Sequence, residues 1–284
     1  MHGQLPAFDI TKTVERTQAL WLGSHYPGQR VFVTGSTRFW LNAFADNPQL
    51  GGGFDQGRSN TAIADVTFAI TYIQGKGSDS VALLKAYGVR AVAVGGEHSR
   101  DVYRDYKDPG KFAGVIPEVW RDGDDAIYEI PGTGSLAHVV NKEDLVTSGP
   151  KDWPIVTRFA AALDAGDGKT QISWHGPNRA TIQAELKKPQ VVSVQVSWDQ
   201  GWRASMNGKD LAIGRDALGL MVLEPGCEGR CTIDLVYDGG VQGRMMELLC
   251  VVGFSVCGVF VYRGLKGRTR AAHGRPERGA APSQ

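Results

Sequence analysis

The sequence predicts an α+β protein: a small α/β domain followed by an antiparallel β-sandwich and one C-terminal transmembrane helix. Helical and strand patterns alternate over the first 150 residues, apolar and polar residues alternate from residue 170, and an uncharged apolar run lies near the end of the chain. The expected parts are an α/β domain at 1–150, a linker helix at 151–169, a sandwich at 170–240, a transmembrane helix at 244–263 and a disordered basic tail at 264–284.

The α/β domain is predicted from helix and strand patterns that follow one another. Helices are expected at 11–22, 36–47, 61–74 and 78–87, and strands at 30–34, 89–96 and 135–140. A short helix with a loop is expected at 98–112, and a hairpin that turns at Asp122 and Gly123 at 114–131.

The sandwich is predicted from a change of period after a last helix at 155–166. Seven short segments between residues 170 and 238 alternate apolar with polar residues, and Asn207-Gly208 is a typical hairpin turn between two of them. Seven strands at this spacing favour an antiparallel sandwich, with Trp174, Trp198 and Trp202 in its core.

The transmembrane prediction depends on residues 245–262, which contain Glu247 as their one charge. These 18 residues span ~27 Å as a helix, close to the ~30 Å hydrocarbon core of a bilayer. A buried core helix is the competing interpretation. Six Lys or Arg residues follow the run, so we expect the C-terminus in the cytoplasm and residues 1–243 outside, in a bacterial inner membrane.

Composition and motifs limit which partners, metals and cofactors can be expected for this chain. The net charge of +1 gives no reason to expect a nucleic-acid partner, and a basic tail that binds lipid or nucleic acid is a minor alternative to a plain membrane flank. The histidine spacing predicts no metal site, and we expect no cofactor and no catalytic residue in this chain. Cys227 and Cys231 are candidates for a disulfide in an oxidising compartment, with two free thiols as the alternative.

The richest polar stretch, residues 38–60, places amides and carboxylates between aromatic residues. Aromatic rings stack on the C–H faces of sugars while amides pair with hydroxyls, so we interpret the stretch as a glycan site. The candidate ligand-binding residues are Arg38, Trp40, Asn42, Asn47, Asp55 and Gln56, joined by Glu97 and His98 after a strand. A capped helix followed by a solvated glycine loop is the alternative.

Five segments carry a resemblance to a known family. They are RVFVTGSTRFWLNAFADNPQLGGGFDQG, LLKAYGVRAVAVGG, DPGKFAGVIPEVWRDGDDAIYEIP, SLAHVV and the stretch from VSVQVSWDQGWRASMNGKDLAI to LVYDGG, followed by the apolar run. Together they resemble the C-terminal part of YfhO-like multispanning membrane proteins of the GT-C glycosyltransferase superfamily, including the group labelled 6-pyruvoyl-tetrahydropterin synthase-related.

The resemblance implies a catalytic membrane body upstream of this chain and a lipid-linked sugar donor. Residues 1–18 lack a signal-peptide pattern, which favours the C-terminal piece of a longer membrane protein. The expected role is therefore an extracytoplasmic, non-catalytic module that helps to bind a glycan or lipid-linked saccharide, with the membrane and the upstream transmembrane region as partners. The alternative is a structural or partner-binding ectodomain on a membrane anchor.

Overall fold

A computed structural model describes residues 9–53, 59–73, 75–132, 134–166 and 168–273, with backbone alone for 264–273. The α-helices are α1 (Val14–His25), α2 (Thr37–Phe44), α3 (Ala62–Thr71), α4 (Gly77–Ala86), α5 (Trp153–Ala165) and α6 (Gly240–His273). The first strands are β1 (Val31–Phe32), β2 (Ala91–Gly95), β3 (Glu118–Asp122), β4 (Asp125–Glu129) and β5 (Ala137–Asn141). The later strands are β6 (Thr170–Trp174), β7 (Arg179–Leu186), β8 (Gln190–Ser197), β9 (Trp202–Met206), β10 (Lys209–Leu211), β11 (Ile213–Arg215), β12 (Leu220–Leu223) and β13 (Gly229–Tyr237).

The first sheet has the order β1-β2-β4-β3 and is covered by helices on both faces. β1 and β2 are parallel, and the other pairs are antiparallel. Ala91 and Ala93 of β2 pack with residues of α1 and α2, whereas Val92 and Val94 pack with residues of α3, α4 and α5. Successive residues of a strand point to opposite faces, so both faces of β2 are buried and its sequence is apolar without interruption.

The predicted helix within 98–112 is wrong, because this segment forms only turns. Asp101 accepts hydrogen bonds from the backbone N–H groups of Tyr103 (2.9 Å) and Ser36 (2.9 Å). An aspartate that bonds nearby N–H groups competes with the helical hydrogen-bond pattern. The segment therefore wraps over the carboxyl ends of β1 and β2.

The predicted antiparallel sandwich is confirmed. Its sheets have the orders β10-β9-β13-β7-β6 and β11-β12-β8-β5. The first of them is centred on β7 and β13, which pair in register from Gly229↔Leu186 to Val236↔Arg179. The predicted turn at Asn207 and Gly208 joins β9 to β10, and both residues have positive φ values of 54° and 74°, as a type I′ hairpin requires.

Strand β5 lies in the sandwich, although its sequence falls within the first predicted domain. It pairs with β8 from Ala137↔Val194 to Asn141↔Gln190. Val191 and Val222 of the same sheet belong to the core that contains α3, α4 and α5, whereas Val192 faces the sandwich interior. The sheets and their shared core therefore do not divide at residue 150, because the sheet β11-β12-β8-β5 is buried on both faces.

Helix α6 is 34 residues long and begins three residues after β13. Residues Gly240–Arg263 are long enough to cross a membrane, their most apolar 18-residue window has a mean hydropathy of 2.0, and none of that window is buried inside the protein. The competing interpretation of a buried core helix is therefore wrong. The helix also continues to His273, into the segment expected to be disordered, because extending an existing helix is easier than nucleating one.

Candidate functional site

The two asparagines of the predicted glycan site make hydrogen bonds within the fold. The side chain of Asn42 donates to the carbonyl of Asn47 (2.9 Å) and accepts from the side chain of Gln49 (2.6 Å). Asn47 is buried, and its Nδ2 donates to the carbonyls of Tyr26 (2.6 Å) and Gln29 (3.1 Å). Asn47 therefore fastens the chain after α2 to the turn between α1 and β1, and Asn42 braces that chain from α2.

The other predicted residues of this stretch differ in their access to solvent. Nε of Arg38 donates to the carbonyl of Gly53 (2.9 Å), and the guanidinium lies 5.3 Å from the ring centre of Phe39. Trp40 is 45% exposed and its ring lies 6.3 Å from that of Phe44. Among the predicted glycan-binding residues on α2, Trp40 therefore has a ring that a ligand can reach. Asp55 and Gln56 lie outside the described residues.

Glu97 and His98 are exposed in the turn after β2 and border the hairpin β3–β4. The backbone N–H of His98 donates to the side chain of Asp124 (2.8 Å), and the side chain of Arg104 donates to the carbonyl of Glu97 (2.7 Å). The next residue, Ser99, donates to the buried side chain of Asp125 (2.6 Å). Those contacts hold the turn against the hairpin.

A buried carboxylate, Asp101, links this turn to the start of α2. Its Oδ1 accepts from the hydroxyl of Ser36 (2.5 Å), and the same hydroxyl lies 2.5 Å from a carboxylate oxygen of Glu15. Gly35 has a φ of +65°, and a Cβ on it would lie 2.3 Å from Oδ2 of Asp101. Within the described ranges, no group of three His, Cys, Asp or Glu side chains has a geometry that could hold a metal ion. These contacts connect the turn after β2 to the start of α2 and indicate a structural role for Asp101.

The groove beside the start of α6 has a volume of about 690 Å³ and is lined by residues from both sheets of the sandwich and from α6. Its aromatic residues are Trp198, Trp202 and Tyr237. The rings of Trp202 and Tyr237 lie 5.2 Å apart, and the guanidinium of Arg215 lies 6.0 Å from the ring of Trp198. We call this feature the membrane-proximal groove, because Gln242, in the first turn of α6, also lines it.

The polar side chains of the membrane-proximal groove are of the types that recognise hydroxyl groups. Three amides, Asn178, Gln200 and Gln242, accompany the carboxylate of Asp199. Burial raises the pKa of Tyr237 and the charge of Asp199 raises it further, which reinforces the protonated, hydrogen-bond-donating form that a phenol has at neutral pH.

A tight turn positions the groove residues. Oδ1 of Asp199 accepts from the backbone N–H of Gly201 (2.8 Å). A Cβ on Gly201 would lie 2.7 Å from the ring of Tyr237 and 3.0 Å from the backbone of Gly239, so only glycine fits there. The turn between β8 and β9 therefore contacts the junction between β13 and α6.

The three sandwich tryptophans lie at one end of the sandwich rather than in its centre. Trp198 and Trp202 are half-buried at the edge of the core, and Trp174 is 40% exposed, with its ring 6.4 Å from that of Trp202. The residues from Trp198 to Gly208 belong to a segment that carries the family resemblance, but nothing in its spacing placed them beside residues 178, 215, 237 and 242.

Cys227, in the connection between β12 and β13, forms a disulfide with Cys231 of β13, and their Cα atoms lie 6.6 Å apart. Cys250 and Cys257 of α6 are free and exposed.

No protein-family model, curated protein or solved structure matches this chain. The relation to YfhO-like and GT-C proteins therefore stays a prediction from sequence.

Proposed function

We propose that this chain is a membrane-anchored, non-catalytic module that binds a saccharide, free or lipid-linked, in the membrane-proximal groove. The observation that carries the proposal is the combination of three aromatic residues with three amides beside the start of α6. Aromatic faces pack on the C–H face of a sugar ring, and amide groups both donate to and accept from its hydroxyls.

The location follows from the same groove. Gln242 belongs to α6, so a ligand in the groove lies within one helical turn of the candidate membrane span. The basic flank after the span supports a cytoplasmic C-terminus and an extracytoplasmic position for residues 1–243 in a bacterial inner membrane. In this proposal the chain is the C-terminal module of a longer GT-C-like protein, whose upstream membrane region supplies the chemistry.

The test compares one tryptophan from each candidate site, half-buried Trp198 and exposed Trp40, in the full chain purified in a detergent without a sugar headgroup. We expect Trp198→Ala to weaken binding of neutral oligosaccharides about tenfold or more, because the stacking face is lost. Trp40→Ala is the matched variant on α2. Binding is measured by isothermal titration calorimetry against a panel of oligosaccharides.

The pair of variants separates the two candidate sites. Loss of binding in Trp40→Ala, and not in Trp198→Ala, places the saccharide on α2 as the sequence predicted and contradicts the groove. If the wild-type chain binds none of the oligosaccharides, the saccharide proposal fails.

A second candidate function, a partner-binding ectodomain, is favoured by exposed aromatic residues at the C-terminal end of α3. Phe68 is 51% exposed and Tyr72 is 46% exposed, and their stacked rings lie 5.3 Å apart. This apolar face lies on the α/β half of the chain. Exposed apolar faces of this kind are typical of protein contacts.

A further inference from the structure

A second cleft opens between the edge strands β5 and β6 of the two sandwich sheets. It has a volume of about 350 Å³ and is closed at one side by the turn before β1, which supplies Arg30. Thr170 at the start of β6 donates to the carbonyl of Ala137 in β5, which fastens the two edges at one end. Trp174, at the end of β6, lines the cleft farther along that strand. We call this feature the edge cleft.

Arg30 brings a positive charge into the edge cleft that no carboxylate balances. Nη1 donates to the carbonyls of Tyr87 (2.7 Å) and Gln195 (2.5 Å), and among the described residues Arg30 has no acidic partner. A guanidinium carries five N–H groups, so the three on Nε and Nη2 remain for another acceptor. Burial lowers the pKa of Arg30 to about 10, which still leaves it charged at neutral pH.

The surroundings of Arg30 are neutral or already paired. None of the described residues that line the edge cleft is acidic. The neighbouring Arg90 is balanced by Glu129, 2.8 Å away, and its Nε donates to Gln29 (3.3 Å). A partly buried charge without a counter-ion is unfavourable, and an oxyanion that enters the cleft supplies the missing charge with charge-assisted hydrogen bonds.

We propose that the edge cleft is a binding site for a small molecule that carries a carboxylate or phosphate group, with the oxyanion on Arg30 and the rest of the molecule against Trp174. The volume lies at the lower end of the range for small-molecule sites, about 300–1,000 Å³. Leu136 and Ile172 give the walls an apolar surface between the charge and the indole. This site is separate from the membrane-proximal groove and does not depend on its ligand.

The experiment titrates the full chain, in a neutral detergent and a buffer without oxyanions, with four probes. Inorganic phosphate, glucose 1-phosphate and glucuronate carry the two oxyanion types, and glucose is the neutral control. We expect at least one anionic probe to bind at millimolar concentration or below, and glucose to bind about tenfold more weakly or not at all. Binding of phosphates and not of glucuronate identifies a phosphate site, and the reverse identifies a carboxylate site.

Two variants change the charge of the edge cleft in different ways. Arg30→Met removes the cation, and Gln29→Glu adds a negative charge to the lining of the cleft, on the side chain that Arg90 contacts, while it keeps Arg30 and its carbonyl contacts. Both are expected to weaken the anionic probe about tenfold or more. Arg30→Met also removes the hydrogen bonds to Tyr87 and Gln195, which can prevent folding. Gln29→Glu keeps those hydrogen bonds, so it tests the charge of the cleft in a folded protein.

The matched control is Gln183→Glu, an identical change of charge at an exposed position on β7 outside the cleft. We expect it to bind the probe as the wild type does. Failure of every anionic probe to bind, equal affinity for glucose and glucose 1-phosphate, or wild-type affinity in Gln29→Glu would each overturn the proposal.

Discussion

Asp216, in the loop between β11 and β12, is a buried carboxylate with a shifted titration. Oδ1 accepts from the backbone N–H groups of Leu218 (2.9 Å) and Leu220 (2.8 Å), while within the described chain the buried Oδ2 has no hydrogen-bond partner. Burial raises the pKa of Asp216 to about 6, against the opposing effect of those N–H groups. The folded protein therefore binds this proton more tightly than the unfolded chain, whose aspartate pKa is about 3.9.

Asp216→Asn should reduce the pH dependence of stability. The raised pKa stabilises the fold below about pH 4, and this contribution is lost as the pH rises through 6. A shift of about two units corresponds to about 3 kcal/mol in the free energy of unfolding. Urea unfolding followed by tryptophan fluorescence between about pH 4 and pH 7 should show a decline that is smaller in the variant than in the wild type, because the variant keeps Asp125, whose pKa burial also raises.

The control for this prediction is Asp210→Asn, which neutralises an exposed carboxylate on β10. It should retain the decline of the wild type. If wild type and Asp216→Asn show parallel curves over the whole pH range, the assignment to Asp216 is incorrect.

At the scale of the element, α6 is held to the sandwich by Asp238. Its side chain accepts from the backbone N–H of Gly240 (2.8 Å) and lies 3.4 Å from the side chains of both Arg203 and Arg244. The hydrogen bond from Gly240 is the first cause of the lowered pKa of Asp238. These exposed ion pairs contribute little, so they orient the start of α6 and do not stabilise its apolar length.

A charge in the middle of α6 should prevent membrane insertion. The window Gly240–Arg263 spans about 36 Å as a helix, and a lysine near the centre of a span costs about 2.5–3.5 kcal/mol in insertion. We expect Val252→Lys to leave the membrane fraction on alkaline carbonate extraction, whereas the wild type stays. Gln242→Lys, at the end of the span, is the control and should behave as the wild type does. Extraction of the wild type itself would show that α6 does not span.

At the scale of the whole molecule, a shared core joins the α/β half to the sandwich. The sheet β11-β12-β8-β5 contributes Val191, Leu220 and Val222 to one cluster. These residues pack there with Phe32 of β1 and Phe159 of α5. Asn60 adds a polar link, because its Nδ2 donates to the carbonyl of Leu218 (2.9 Å). We therefore expect the two halves to unfold together.

The proposed topology predicts where the disulfide can be labelled. With Cys250 and Cys257 replaced by serine, only Cys227 and Cys231 remain. In spheroplasts, whose inner membrane is intact, a membrane-impermeant maleimide should label the chain only after the disulfide has been reduced. An oxidising outer compartment keeps the two cysteines bonded to each other. Labelling that requires permeabilised membranes would place the domain in the cytoplasm and reverse the topology.

The sequence by itself determined the local elements and the order of the three parts. Helices α1 to α5, the hairpin at Gly123, the turn at Asn207 and the antiparallel sandwich all follow from periodicity, caps and turn residues, which depend on neighbours a few positions away. The uncharged run likewise predicted an apolar helix long enough to span a membrane, and the structure shows that helix free of the core.

Only the tertiary structure decided which polar side chains serve the fold and which face a cleft. Asn47 has the amide group that a glycan site requires, but that amide donates hydrogen bonds to two carbonyls of the turn before β1. Trp198 and Arg30 stand beside clefts because distant segments meet there. The hydrogen-bond partners and the charge balance of a side chain depend on residues far away in the chain, and no local pattern records them.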